Sequence, residues 1–87
     1  IYAEDARQRM VYLRNRLAAH EVAVAEFYLD RSAHVAAINR ARTILETFQE
    51  TPAVIPALKI MAEGYDNLGL PELAADTRRI LEANQAR

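Results

Sequence analysis

Residues 5–31, DARQRMVYLRNRLAAHEVAVAEFYLDR, contain neither Pro nor Gly across 27 positions. Larger apolar side chains recur through them at helical spacing: Met10, Leu13, Leu17, Val24, Phe27 and Tyr28. Asp5 falls in the first turn, where a carboxylate complements the positive end of the helix dipole. The stretch reads as one continuous helix of about 40 Å at 1.5 Å per residue. That is about twice the usual helix length, and longer than any other segment of this chain can supply, so the remaining helices are expected to pack along it.

Working outward, Ile1–Glu4 is a lead-in and Asp30-Arg31-Ser32 a polar break. A second amphipathic helix is expected over about 33–48, with Val35, Ile38, Ala41, Ile44, Leu45 and Phe48 near one side. Thr51-Pro52 has the form of an N-cap followed by Pro at the first helical position, which predicts a third helix over about 52–68. Pro56 lies one turn in, where it would tighten or bend the start. Gly69 suits the position just past a helix end, and Pro71 opens a fourth helix over about 71–84. In that helix Leu73, Ala74, Thr77, Ile80 and Leu81 would face inward, and Gln85-Ala86-Arg87 would fray.

The whole chain, 1–87, is one domain at most. Apolar residues make up 52% and charged residues 26%, a balance that folds. Much of the apolar share is Ala, and runs of β-branched residues are absent, so the fold class is all-α. The net charge of −1 speaks against a general nucleic-acid binder. The charge is uneven: residues 1–45 carry seven Arg against five acids, and residues 46–87 four basic groups against seven acids. With no Cys, thiol catalysis, thiolate zinc and disulfides are excluded. No apolar run approaches the ~18 residues of a membrane span, and no signal peptide is read. A first residue of Ile rather than Met is what a piece of a longer protein would show.

An internal echo sharpens this picture. At a shift of 37, Ala25-Glu26 returns as Ala62-Glu63, Tyr28 as Tyr65, Ala37 as Ala74, Arg42 as Arg79 and Ile44 as Leu81. The pattern resembles the tetratricopeptide repeat, a helical hairpin whose small residues mark the closest helix contacts. Gly69 stands where that repeat usually has Gly, whereas the first copy has Ser32. The period exceeds the usual 34 by three, which the loop around Thr51 can absorb. The predicted architecture is an α-solenoid fragment of two such hairpins with an elongated first helix, in place of a plain Ala-rich bundle. A single hairpin cannot bury its apolar face alone, so hairpins stack. The half of the first helix from Asp5 to Arg16 precedes the first repeat and would cap or extend the stack.

Two segments, Asp5–Ala18 (DARQRMVYLRNRLA) and Val24–Arg40 (VAEFYLDRSAHVAAINR), resemble the C-terminal half of the BamD (YfiO/ComL) lipoprotein family of the bacterial β-barrel assembly machinery. The loop Phe48–Pro52 and the segment Ala74–Arg79 also suit that family, and the resemblance covers nearly all 87 residues. It implies the last two of five tetratricopeptide repeats and a module without covalent chemistry. It also implies a location at the periplasmic face of the Gram-negative outer membrane, through an N-terminal lipid anchor that this chain lacks. The implied partner is the barrel-proximal POTRA domain of BamA, with other lipoproteins of the machinery as further partners, no nucleic acid and no cofactor. Recognition of unfolded barrel proteins belongs, by the same resemblance, to the missing N-terminal repeats.

The resemblance places Arg31, His34, Asn39 and Arg40 toward BamA, where an Arg can make a bidentate pair with a partner carboxylate. Solvated surface arginines are the alternative. His34 would otherwise close the hairpin turn, and no second His or Cys at ligand spacing supports a metal. His20-Glu21 superficially resembles a metalloprotease helix, but position 24 is Val. Arg7 and Arg14 share one helix face while Arg9 and Arg16 share nearly the opposite one, which makes two thin stripes rather than a basic patch. The repeat register lines a mildly acidic concave groove with Val22, Glu26, Leu29 and Asp30, then Lys59, Glu63, Asp66 and Asn67. The competing functional reading is therefore a generic repeat scaffold that binds an extended peptide in this groove. A small helical enzyme has no nucleophile–base set, carboxylate pair or phosphate loop to support it.

Overall fold

The computed structural model describes residues 2–86. Four helices follow one another: α1 (Tyr2–Asp30), α2 (His34–Thr47), α3 (Val54–Asn67) and α4 (Pro71–Gln85). They pack as α1 on α2, α2 on α3, α3 on α4 and α1 on α3; among the described residues α4 reaches neither α1 nor α2. This is the order of two stacked hairpins, each sequential pair antiparallel across a short turn. The molecule is long and flat, 52 × 28 × 15 Å.

Small residues set the distance between the helices. Ala18 and Ala25 on α1, Ala37 and Ala41 on α2, Ala57 on α3 and Ala74 on α4 are all fully buried. An alanine at a crossing lets two backbones approach within the 8–10 Å range of helix packing. Ile38, Ile44, Ile60 and Met61 fill the space between those points. Gly64 allows the closest approach: a Cβ placed there would lie 2.7 Å from Ile38 Cγ1.

The two hairpin turns are copies of one another. After α3, Gly69 takes φ +74°, its N–H donates to Asp66 O at 3.0 Å, and the Leu70 N–H donates to Tyr65 O at 2.9 Å. After α1, Ser32 takes φ +62°, its N–H donates to Leu29 O at 3.0 Å, and the Ala33 N–H donates to Tyr28 O at 2.9 Å. Each is a Schellman turn, which satisfies two carbonyls at the helix end through a left-handed residue. Both of these hydrogen bonds in the first turn have counterparts 37 residues later, whereas the Arg31 N–H donates to Tyr28 O and its equivalent at Leu68 to Gly64 O. The echo in the sequence is thus an echo in the backbone.

Several expected boundaries and faces change. α1 is already helical at Tyr2, so Ala3 and Glu4 are not a lead-in; Ile1 lies outside the described residues. Thr51 does not cap α3. Its hydroxyl donates to Phe48 O at 2.7 Å, Pro52 sits in the turn, and the helix begins at Val54 after Ala53. Pro56 is consequently the third helical residue, where its missing N–H would have had no partner within the helix, and α3 runs through it. α4 continues to Gln85, with Ala86 still donating to Glu82 O at 3.0 Å; Arg87 lies outside the described residues.

The largest correction concerns the first half of α1. Met10, Leu13 and Leu17 are 69%, 51% and 59% exposed, and Phe27 is also exposed. For Met10 and Leu13 the cause is a mismatch in length. α1 has 29 residues and α2 only 14. Running back along α1, α2 ends where Arg14 donates to Thr47 O at 3.1 Å and to Gln49 O at 2.9 Å. Residues 3–14 are all exposed, so that half projects rather than completing the core. Val35, Leu73 and Ile80, expected inward, are exposed as well. On α4 the buried positions are Ala74 and Thr77, and the Thr77 hydroxyl is satisfied by Leu73 O at 2.8 Å.

Ala37→Leu and Ala74→Leu each place three extra carbons at a fully buried contact, and each should lower stability by about 1–3 kcal/mol, read as a fall in thermal midpoint. The twin turns give an opposed pair. Gly69→Ala meets no atom within 4 Å, so its cost is purely that of a left-handed non-Gly residue, about 1 kcal/mol. Ser32→Gly removes the same strain at the equivalent position and should stabilise by about 0.5–1 kcal/mol; urea denaturation of the two variants checks both signs.

Candidate functional site

Two surfaces collect the residues that the sequence singles out. The first lies on the outer side of the α1–α2 seam. Tyr28 from α1 and Ala36, Asn39, Arg40 and Thr43 from α2 line an open depression of about 350 Å³. Asn39, Arg40 and Thr43 share it because they are spaced by one helical turn or less along α2. Arg40 donates to the Glu21 carboxylate on α1 at 3.3 Å through one guanidinium nitrogen, and its side chain stays 47% exposed. Glu21 thereby orients the Arg40 fork, whose remaining N–H groups have no protein acceptor among the described residues.

Arg31 and His34 do not line this depression. Arg31 lies over the Phe27 ring, 3.5 Å from its centroid, and donates to Phe27 O at 3.3 Å, so it closes the end of α1. His34 is the first residue of α2; its Nδ1 is buried without a hydrogen-bond partner among the described residues. Sequence reasoning grouped four residues, and the fold places Asn39 and Arg40 together while putting Arg31 and His34 at the hairpin turn.

The second surface is the concave α1–α3 seam. Glu26 and Asp30 from α1 face Lys59 and Glu63 from α3 across a cleft of about 310 Å³ floored by Leu29 and Ile60. Val22, expected in the same groove, lines a neighbouring apolar notch instead. Asp66 is a correction. It hydrogen-bonds Arg78 on α4, one of its contacts measuring 3.3 Å, and so fastens α3 to α4 rather than opening to the groove. The Arg78 guanidinium beside it holds the Asp66 carboxyl below its ordinary value of 3.8.

The arginines of α1 have local roles. Arg7 pairs with Glu4 at 2.9 Å, and Arg16 meets the Tyr12 hydroxyl at 3.2 Å with its guanidinium over the Tyr12 ring. Arg14, read only as part of a charge pattern, holds the end of α2 through two carbonyls, where a cation suits the negative end of the helix dipole. Its role has no local sequence signal, because its acceptors lie 33 and 35 residues away. Among the described residues no group of three or more His, Asp or Glu side chains is arranged to hold a metal ion. Among the described residues no helix is long and apolar enough to cross a membrane.

Fold and surface together define a helical-repeat module whose distinctive features are open faces on stacked hairpins. The chain belongs to the YfiO family of outer membrane lipoproteins, whose family model matches residues 1–81. It is 46% identical over 86 residues to the outer membrane protein assembly factor BamD of Pasteurella multocida, covering 99% of this chain and 33% of that protein. It is 48% identical over 83 residues to the BamD of Neisseria meningitidis serogroup A, covering 95% of this chain and 31% of that protein. To the BamD of Vibrio cholerae it is 43% identical over 83 residues, 95% of this chain and 34% of that protein. The chain thus spans about a third of the length of these curated relatives.

The Asp66–Arg78 pair gives a pH dependence of defined sign. A carboxyl whose folded value is lowered contributes stability above its ordinary value, and that contribution disappears as pH falls through the lowered folded value. Asp66→Asn should therefore be less stable than the wild type at pH 7, and the difference should shrink below about pH 4; urea melts of both proteins across that range test it.

Proposed function

We propose that this chain is a non-catalytic protein-docking module of the outer-membrane β-barrel assembly machinery, acting at the periplasmic face of the outer membrane. Its relatives are named outer membrane protein assembly factors, and its family is described as outer membrane lipoproteins. The partner in this reading is the barrel-proximal POTRA domain of BamA. The observation that carries it is the Arg40 fork, oriented by Glu21 yet exposed, beside Asn39 and Tyr28 in one open depression. A guanidinium held in place loses less side-chain entropy when it meets a partner carboxylate, and its planar fork favours a bidentate pair. The rigid α1–α2 hairpin behind it, with Ala37 and Ala41 fully buried, fixes the surface on which the contact is made.

Arg40→Glu replaces attraction by repulsion and should weaken binding of purified BamA POTRA domains by about 1–3 kcal/mol, roughly five- to 150-fold. Isothermal titration measures this directly. Glu21→Gln, which loosens the fork without removing it, should have a smaller effect. Unchanged affinity in Arg40→Glu removes this surface from the interface.

A further inference from the structure

One side of α1 carries a pattern that neither seam uses. α1 turns Arg14, Glu21 and Tyr28 toward α2, and Val22, Glu26 and Leu29 toward α3. On the remaining side Met10, Leu13, Leu17, His20, Val24 and Phe27 follow one another at intervals of 3, 4, 3, 4 and 3 residues. All are exposed except Val24, which is half-buried. Alternating intervals of three and four make a narrow stripe that stays aligned with one second helix crossing at about 20°. A membrane surface calls for a wider apolar face, and an extended strand, with side chains alternating every second residue, has no matching repeat. The first half of the stripe has basic edges: Arg9 and Arg16 line one side and Arg7 and Arg14 the other. Arg9 is in no ion pair among the described residues.

We propose that this stripe docks an amphipathic helix of a partner protein, one whose apolar residues recur at intervals of three and four and are flanked by Asp or Glu. The apolar ridge of that helix covers Met10, Leu13 and Leu17, and its carboxylates meet Arg9 and Arg16 at the edge. From Met10 to Phe27 the stripe is about 26 Å long at 1.5 Å per residue, so a partner helix of about 18 residues spans it. His20, exposed in the middle of the stripe, is the single polar position that fixes the register of such a pair. A second copy of this chain is a poor occupant of the projecting half. Paired in parallel, the two copies set Arg9 against Arg14; paired antiparallel, they set Arg9 against Arg16 and Arg7 against Arg14.

The stripe shares no residue with the Arg40 depression, so it does not depend on the docking reading. The probe is a fluorescein-labelled peptide of three heptads with Leu at the apolar positions and Glu at every flanking position, followed by fluorescence anisotropy. One comparison peptide has Lys in place of each flanking Glu, and another has the same composition in scrambled order. The Glu peptide should bind and gain helicity by far-UV circular dichroism, and the other two should bind at least about tenfold more weakly. Leu13→Asp and Leu17→Asp, at exposed positions, should each weaken the Glu peptide at least about tenfold while the chain's own circular dichroism stays unchanged. Arg9→Glu combined with Arg16→Glu should reverse the preference in favour of the Lys peptide. Arg40→Glu should leave peptide affinity unaltered, which separates this surface from the docking site. No binding of the Glu peptide, equal binding of the scrambled peptide, or a dimer in sedimentation equilibrium that the Glu peptide dissolves would each overturn the proposal. So would loss of peptide binding in a form of the protein extended at its N-terminus, which would assign the stripe to the protein's own preceding residues.

Discussion

The close approach of helix backbones at alanine and glycine positions is the constraint on which the molecule depends. With Ala18, Ala25, Ala37, Ala41, Ala57 and Ala74 fully buried and Ile38 Cγ1 only 2.7 Å from where a Cβ on Gly64 would stand, the hairpins can stack in a layer only 15 Å deep. Larger residues at these points would separate the helices and lose the dispersion contacts that a small core cannot spare. The same economy limits the core. Ile44 and Leu58 are the largest side chains that are fully buried. Rigidity here comes from short distances between helices more than from bulk between them.

Short distances require that each helix stop at a fixed place, and the twin Schellman turns provide this. Both reverse the chain with the same pair of hydrogen bonds, one through Gly69 and one through Ser32. The left-handed serine is a local cost accepted to keep α2 in register with α1. Arg14 performs the complementary task at the other end of α2, closing its carbonyls from across the seam. Asp66 and Arg78 tie the last hairpin together in a similar way. Arg14, Arg31 and Asp66, visible in the sequence only as charged surface residues, are thus engaged in holding helices together.

What is left over defines the functional surfaces. Arg40 is exposed and oriented by Glu21, while Glu26, Asp30, Lys59 and Glu63 remain unpaired around the concave cleft. The two surfaces lie on different seams because α2 and α3 each pack on α1. The exposure of Met10 and Leu13 arises from the excess length of α1 over α2, whereas Leu17 lies beside α2 on a face that α2 does not cover.

The helical class, the four segments, the turn at Gly69, the start at Pro71 and the 37-residue echo were legible in the residues, because propensity, turn chemistry and repetition act locally. Of the residues that the repeat register assigns to equivalent helices, Glu26, Asp30, Lys59 and Glu63 line one cleft, whereas Val22 and Asp66 do not. The start of α3 was misread at Thr51 because its hydroxyl found a carbonyl behind it instead of an amide ahead. The exposure of Met10 and Leu13, the stacking of Arg31 on Phe27, the diversion of Asp66 to Arg78 and the hold of Arg14 on α2 were decided only by tertiary structure. Sequence periodicity marks which face of a helix is apolar, but whether another helix reaches that face, and which distant carbonyl or carboxylate a long side chain meets, depends on where the packed neighbours end.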